Sequence, residues 1–250
     1  MLDIKIIYQL ALGNMKARYR KTFAGFLWVV LNPLILFMIQ SFVFKNFLRL
    51  DVPNYHLFLI TGLLPWIFFT SSVEMCTPVI DASRELLKGI NLSPFNLVLA
   101  QVLDNIFNFT IVFFVVLVPW LISTGAYSWK LLLIPFAFLN IIVSVSSLVI
   151  ILSILNIFYR DIRYLSSFIL NILFFLTPIF YPRSFIPDPY KIIVDINPIY
   201  VLLTPFRYCF LEIDESFLIL ILKSSCITFT MVFLTLRMWK KRKNEFYLRL

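Results

Sequence analysis

Residues 22–44 carry no charge, and the four residues before them, 18–21, hold three cations. A helix of ~20 apolar residues crosses the ~30 Å hydrocarbon core of a bilayer. One such run is equally compatible with a buried helix of a soluble protein. Here the pattern recurs after residues 57, 105, 131, 165 and 217, and that repetition makes lipid the solvent. Composition leads to the same place: 61 % of residues are hydrophobic and only 14 % charged, with a mean hydropathy of +0.92. A soluble domain carries ~25 % charged residues, and a chain this poor in charge has too little polar surface to face water.

The predicted fold is therefore all-α and integral to the membrane, with six transmembrane helices at about 26–44, 57–80, 105–121, 131–158, 165–181 and 217–236. Glu74 and Pro78 interrupt the second, Asp104 stands at the start of the third, and Lys223 lies near the start of the sixth. Residues 1–21 read as an amphipathic interfacial helix followed by a basic segment, without a separate targeting peptide. Leu2, Ile6, Ile7, Leu10 and Ala11 share one face of that helix. Residues 22–240 read as one six-span domain, and 241–250 as a basic cytoplasmic tail.

Cations next to spans stay preferentially in the cytosol. With the N-terminus inside, the inner segments hold fifteen Lys and Arg and the outer segments six. Both termini are accordingly expected in the cytosol. The same logic accounts for the net charge of +9 through topology and anionic headgroups, without nucleic acid as a partner. In the outer segment 182–216, the apolar pieces 192–194 and 196–206 are cut by Asp195, Pro198 and Pro205. Each is too short to cross. They read as two short helices re-entering the membrane between spans five and six.

The residues offer little catalytic chemistry. The five glycines begin no nucleotide-binding G-x-x-x-x-G-K-[ST] loop. His56 is the single histidine, and Cys76, Cys209 and Cys226 have no metal-ligand spacing and are odd in number. No catalytic residue, metal site or bound cofactor is expected. The outer carboxylates Asp51, Asp188, Asp195, Glu212, Asp214 and Glu215 show no paired spacing and read as solvated loop charge. Ionisable groups within the spans are scarce, so a proton relay is disfavoured and the driving energy is expected from elsewhere. Aromatics make up 18 % of the chain. Trp28, Trp66, Trp120 and Trp129 fall near predicted span ends, as interfacial anchors do. Rings can also line a conduit, because their faces complement the C–H faces of sugars.

Several motifs, in order, resemble the permease subunit of a type-2 ABC exporter of the polysaccharide or polyol-phosphate branch. They are Arg18-Tyr19-Arg20 with Gly25-Phe26-Leu27-Trp28 and Asn32-Pro33; Gly62-Leu63-Leu64-Pro65-Trp66-Ile67-Phe68-Phe69; and Tyr159-Arg160-Asp161-Ile162. Thr177-Pro178-Ile179, Tyr181-Pro182, Ile186-Pro187, Asn197-Pro198 and Phe206-Arg207 complete the series. Ala24 stands where a larger aliphatic residue is common, and residues 86–94 lack the usual paired lysines and Phe-Pro.

The resemblance implies a homodimer of six-span subunits in the bacterial inner membrane, with two copies of a separate ATPase that binds ATP and magnesium. It places a coupling helix at about 82–96, with Arg84, Glu85 and Lys88 as candidate contacts. Arg160, Asp161 and Arg163 form a second cytoplasmic cluster and are further coupling candidates: they are expected to pair locally in the first place, or else to clamp span ends or touch the ATPase. The implied substrate is a lipid-linked cell-surface polysaccharide, an O-antigen or a capsule- or teichoic-acid-like polymer. Trp28, Asn32, Trp66, Phe69, Tyr181 and Tyr200 are candidate path residues. Ile186, Pro187, Asn197, Pro198 and Arg207 are candidates for the outer gate. A type-2 exporter of drugs or lipids shares the fold, and an integral-membrane glycan-modifying enzyme is the alternative of another class.

Overall fold

The computed structural model describes residues 4–20, 22, 23, 25–89, 92–124, 128–213 and 215–249, and among them every regular element is a helix. Five helices are long and apolar enough to cross a membrane: α2 (Gly25–Phe47), α3 (Tyr55–Cys76), α6 (Pro94–Leu117), α8 (Trp129–Phe158) and the first 25 residues of α12 (Phe217–Arg249). The others are α1 (Ile4–Tyr19), α4 (Val79–Ala82), α5 (Arg84–Gly89), α7 (Val118–Thr124), α9 (Ile162–Leu176), α10 (Lys191–Ile196) and α11 (Pro198–Tyr208).

The bundle is built around α3. In its apolar stretch 78 % of residues are buried, against 17 % in α2 and 11 % in α12. A helix apolar on every side has no face to give to water and is packed all round. Phe68, Phe109 and Phe138 stack in succession, with centroids 4.9 and 4.8 Å apart, and join α3, α6 and α8. In lipid, apolar contact alone gives helices little reason to associate, so polar and small residues hold them. Asn140 Nδ2 donates to Ser224 Oγ (2.9 Å) and Ser225 Oγ (3.0 Å), and Thr235 Oγ1 donates to the Ser147 carbonyl (3.0 Å). These bonds fasten α8 to α12. Ser153 Oγ donates to the Cys76 carbonyl (2.7 Å) and fastens α8 to the end of α3.

α1 docks on α6. Ile7 and Ala11 pack on Ala100, Asn14 Nδ2 donates to Gln101 Oε1 (3.4 Å), and Arg18 pairs with Asp104. This changes the third span. The sequence reading starts it at residue 105, treating Asp104 as a boundary, whereas α6 begins at Pro94 and Asp104 lies inside it, fully buried. The charge is tolerated because a guanidinium and the Gln101 carboxamide (3.1 Å) meet it there. Glu74, read as an interruption of the second span, is exposed in the last turn of α3.

Two further boundaries differ. The second span stops at Cys76, before Pro78. The fifth helix is 15 residues long and stops at Leu176, with Thr177 extended, instead of continuing to residue 181. Pro178 clashes with a helical Thr177 and ends it there. Fifteen residues span ~22 Å, less than a hydrocarbon core, so α9 alone falls short of the sixth crossing helix expected. Conversely, Pro205 does not cut α11, which runs through to Tyr208.

Candidate functional site

The end of the bundle marked by Tyr55 carries the α10–α11 hairpin. Residues 177–180 leave helical geometry while buried, so their carbonyls need internal donors. Arg207 supplies two: Nη1 donates to Pro178 O (2.5 Å) and Nη2 to Ile179 O (2.9 Å). Tyr55 Oη donates to Phe180 O (3.1 Å). Arg207 is 4 % exposed, and its guanidinium lies 4.4 Å from the centre of the Phe58 ring. Asn197 ties the same break from the other side. Its Oδ1 caps α11 by accepting from Ile199 N (3.0 Å), and its Nδ2 donates to Thr177 Oγ1 (2.9 Å). Asn followed by Pro is a good helix start, because Asn caps and Pro tolerates the first helical position.

Of the gate candidates, Asn197 and Arg207 thus converge on one backbone break. Ile186 is partly buried, and Pro187 and Pro198 are exposed. Tyr181 Oη donates to Phe175 O (2.8 Å). Tyr200 is partly buried, and its carbonyl accepts from Thr204 Oγ1 (2.6 Å).

The path candidates divide into three places. Trp28 and Asn32 border a cavity of about 220 Å³ between α2, α3 and α6, at the end of the bundle that carries α1. Trp66 and Phe69 do not reach it; they are 4 % and 6 % exposed, inside the aromatic core, with Phe174 of α9 5.9 Å from Trp66. Trp66 sits mid-helix in α3, so it is a packing residue and not a span-end anchor. Tyr181 and Tyr200 belong to the hairpin end. The cavity also takes in Ser71, Asn105 and Asn108, which the sequence reading passed over. Asn105 and Asn108, three apart in an apolar helix, were the available signal.

The coupling candidates lie on short, exposed elements. Arg84 pairs with Asp81 at 2.7 Å, Glu85 is exposed, and the Lys88 side chain lies outside the described residues. Arg160, Asp161 and Arg163 are exposed at the start of α9. Contrary to the expected local pairing, no ion pair within 4 Å joins them among the described residues.

Apolar helices of spanning length, held together by hydroxyl and carboxamide bonds, define a multi-pass membrane protein. The profile of the ABC-2 type transporter family matches residues 6–211, most of the chain, and the chain belongs to that family. It is 32 % identical over 209 residues to the O-antigen export system permease protein RfbA of Myxococcus xanthus, covering 83 % of this chain and 80 % of that one. It is 30 % identical over 203 residues to RfbA of Klebsiella pneumoniae, covering 80 % and 77 %. A more distant relative is the polysialic acid transport protein KpsM of Escherichia coli, 21 % identical over 193 residues, covering 76 % and 75 %.

Proposed function

We propose that this chain is the membrane-spanning subunit of an ATP-driven exporter that carries a lipid-linked polysaccharide across the bacterial plasma membrane. The polymer is an O-antigen or a capsule- or teichoic-acid-like chain. The observation that carries this reading is the relatedness, over about four-fifths of the chain, to permeases named for O-antigen export. The subunit transports and does not catalyse; ATP and magnesium belong to a separate ATPase, present in two copies.

In this reading the chain crosses six times, with α9 extended by the buried segment 177–180 and by Tyr181. Non-helical backbone is stable at membrane depth where protein surrounds it, and the donors from Arg207 and Tyr55 meet that need. α10 and α11 re-enter from the outside. α1 lies in the inner interface against α6. The surplus of cations puts both termini in the cytosol. Leu165, Phe168, Ile172 and Phe175 on α9, with Leu31, Ile35 and Met38 on α2, leave large apolar faces exposed on one protomer. A second copy covers part of this surface, and the path runs between the two. Surface residues line such a path, so Trp28, Asn32, Tyr181 and Tyr200 are its candidates, while Trp66 and Phe69 brace it from within.

ATP-driven closure of the partner pushes on α5 and on the start of α9. The bundle then shifts between two states that bind the ATPase pair differently. Deleting the gene in its host tests the reading. Loss of surface glycan with polymer accumulating in the cytoplasm is expected. Normal surface glycan without accumulation overturns it.

A further inference from the structure

The cavity between α2, α3 and α6 is more than a packing gap. Asn32 comes from α2, Ser71 from α3, and Asn105 and Asn108 from α6. Polar groups are costly within a span, and their convergence from three helices on one recess marks a site. Asn108 Oδ1 is removed from solvent and has no hydrogen-bond partner among the described residues. Pro33 has no N–H to give to the Val29 carbonyl one turn back, and both residues border the same space. The recess therefore holds an acceptor, Asn108 Oδ1, in want of a donor. Trp28, 46 % exposed, stands at its rim.

We infer that this cavity is a subsite for one sugar ring of the transported glycan, with the Trp28 ring as its platform and the Asn32, Ser71 and Asn108 side chains as partners for its hydroxyls. The inference rests on the exporter reading above. A pyranose offers what the cavity requires: hydroxyl donors on its edge and C–H groups on its face, which an indole accepts. An acyl chain satisfies the apolar walls but leaves Asn108 Oδ1 without a donor. A phosphate needs a cation, and Arg18, the one cation bordering the space among the described residues, is already engaged by Asp104. The volume of about 220 Å³ is below the ~300–1,000 Å³ of drug-sized pockets, so it takes one ring and not a length of polymer. A subsite of this kind sits beside the entrance and holds the glycan's end while the rest of the path opens.

The test uses the complete exporter in its host. The photoreactive residue p-benzoylphenylalanine replaces Ile67, which borders the cavity, or Phe136, 63 % exposed on the far side of α8. After irradiation the purified subunit is probed with an antibody to the host's surface glycan. A glycan adduct at position 67 and none at 136 is expected. Asn108→Leu is expected to reduce it roughly 3- to 10-fold, the worth of one hydrogen bond, at unchanged amounts of protein in the membrane. Should that variant fail to accumulate, Asn32→Leu, at the exposed rim, gives the same reading. Adducts with lipid alone at 67, equal adducts at both positions, or no adduct in a strain whose glycan export needs this chain each overturn the subsite. They leave the exporter reading standing. That reading fails separately, if the deletion strain still displays its glycan.

Discussion

The guanidinium of Arg207 fills the space that a side chain at Gly62 would occupy: a Cβ there would lie 2.1 Å from Nη2 and 2.9 Å from Cζ. The two residues are far apart in sequence and sit on different helices, yet one is small because the other is large. Nη2 cannot swing away cheaply, because it is bonded to the Ile179 carbonyl while Nη1 holds Pro178.

Gly62→Ala is therefore expected to destabilise the protein, although alanine favours a helix by ~1 kcal/mol over glycine. Overpacking a fitted core costs roughly 1–3 kcal/mol, and lost Arg207 bonds add to it. Thermal unfolding in detergent, followed by the remaining monodisperse fraction, checks this; an unchanged or higher midpoint contradicts it.

Arg207→Met keeps the bulk and removes the donors. Two buried carbonyls are then orphaned, at ~1–3 kcal/mol each. Arg207→Lys restores charge but offers no planar fork, and is expected to recover only part of the loss. Protease sensitivity of segment 177–208, measured in spheroplasts and in inverted membranes, reads the effect and at the same time reports on which side that segment is exposed.

Asp104→Asn and Arg18→Gln each break the contact between α1 and α6. The carboxylate is fully buried and Arg18 is 22 % exposed, so the penalty falls short of the ~3–5 kcal/mol of a wholly buried pair. A double-mutant cycle on the thermal midpoint should show the double variant losing clearly less than the two single losses added. Simple additivity would mean that the pair contributes no coupling.

Asn197→Ala removes the cap of α11 and its tie to Thr177 Oγ1. The cap alone is worth ~0.5–2 kcal/mol. Asn197→Asp keeps the capping acceptor and loses the donor to Thr177, so it is expected to fall between wild type and alanine in thermal midpoint.

On the exposed segment before α11, Arg183 forms a two-pronged pair with Asp195, at 2.7 and 2.6 Å, and these hydrogen bonds hold the Asp195 carboxyl below the usual carboxylate range. A lowered folded-state value means that the pair stabilises above the unfolded value of ~3.9 and is lost as pH falls through the folded one. Both side chains are more than 40 % exposed, so water and salt weaken the effect. The difference in thermal midpoint between wild type and Asp195→Asn should be small, constant from pH 8 to 5, and shrink only in stronger acid. A difference that already changes near pH 6 contradicts this assignment.

The sequence by itself determined the solvent, the helical class and the approximate positions of the apolar spans, because a stretch of backbone in hydrocarbon must satisfy its own N–H and C=O groups and only a helix does so alone. It also marked two short helices in segment 182–216, since neither apolar piece there is long enough to cross. Tertiary structure decided the rest. Asp104 reads as a boundary until Arg18, from a helix far away in sequence, is found against it. Trp66 reads as an anchor until the rings that enclose it are in place, and Arg207, a gate candidate by resemblance, has no visible partner until the broken end of α9 brings it two carbonyls. The recess lined by Asn32, Ser71 and Asn108 exists only where three helices meet. What a polar group costs in lipid depends on which partner lies within three ångströms, and the order of residues along the chain does not contain that distance.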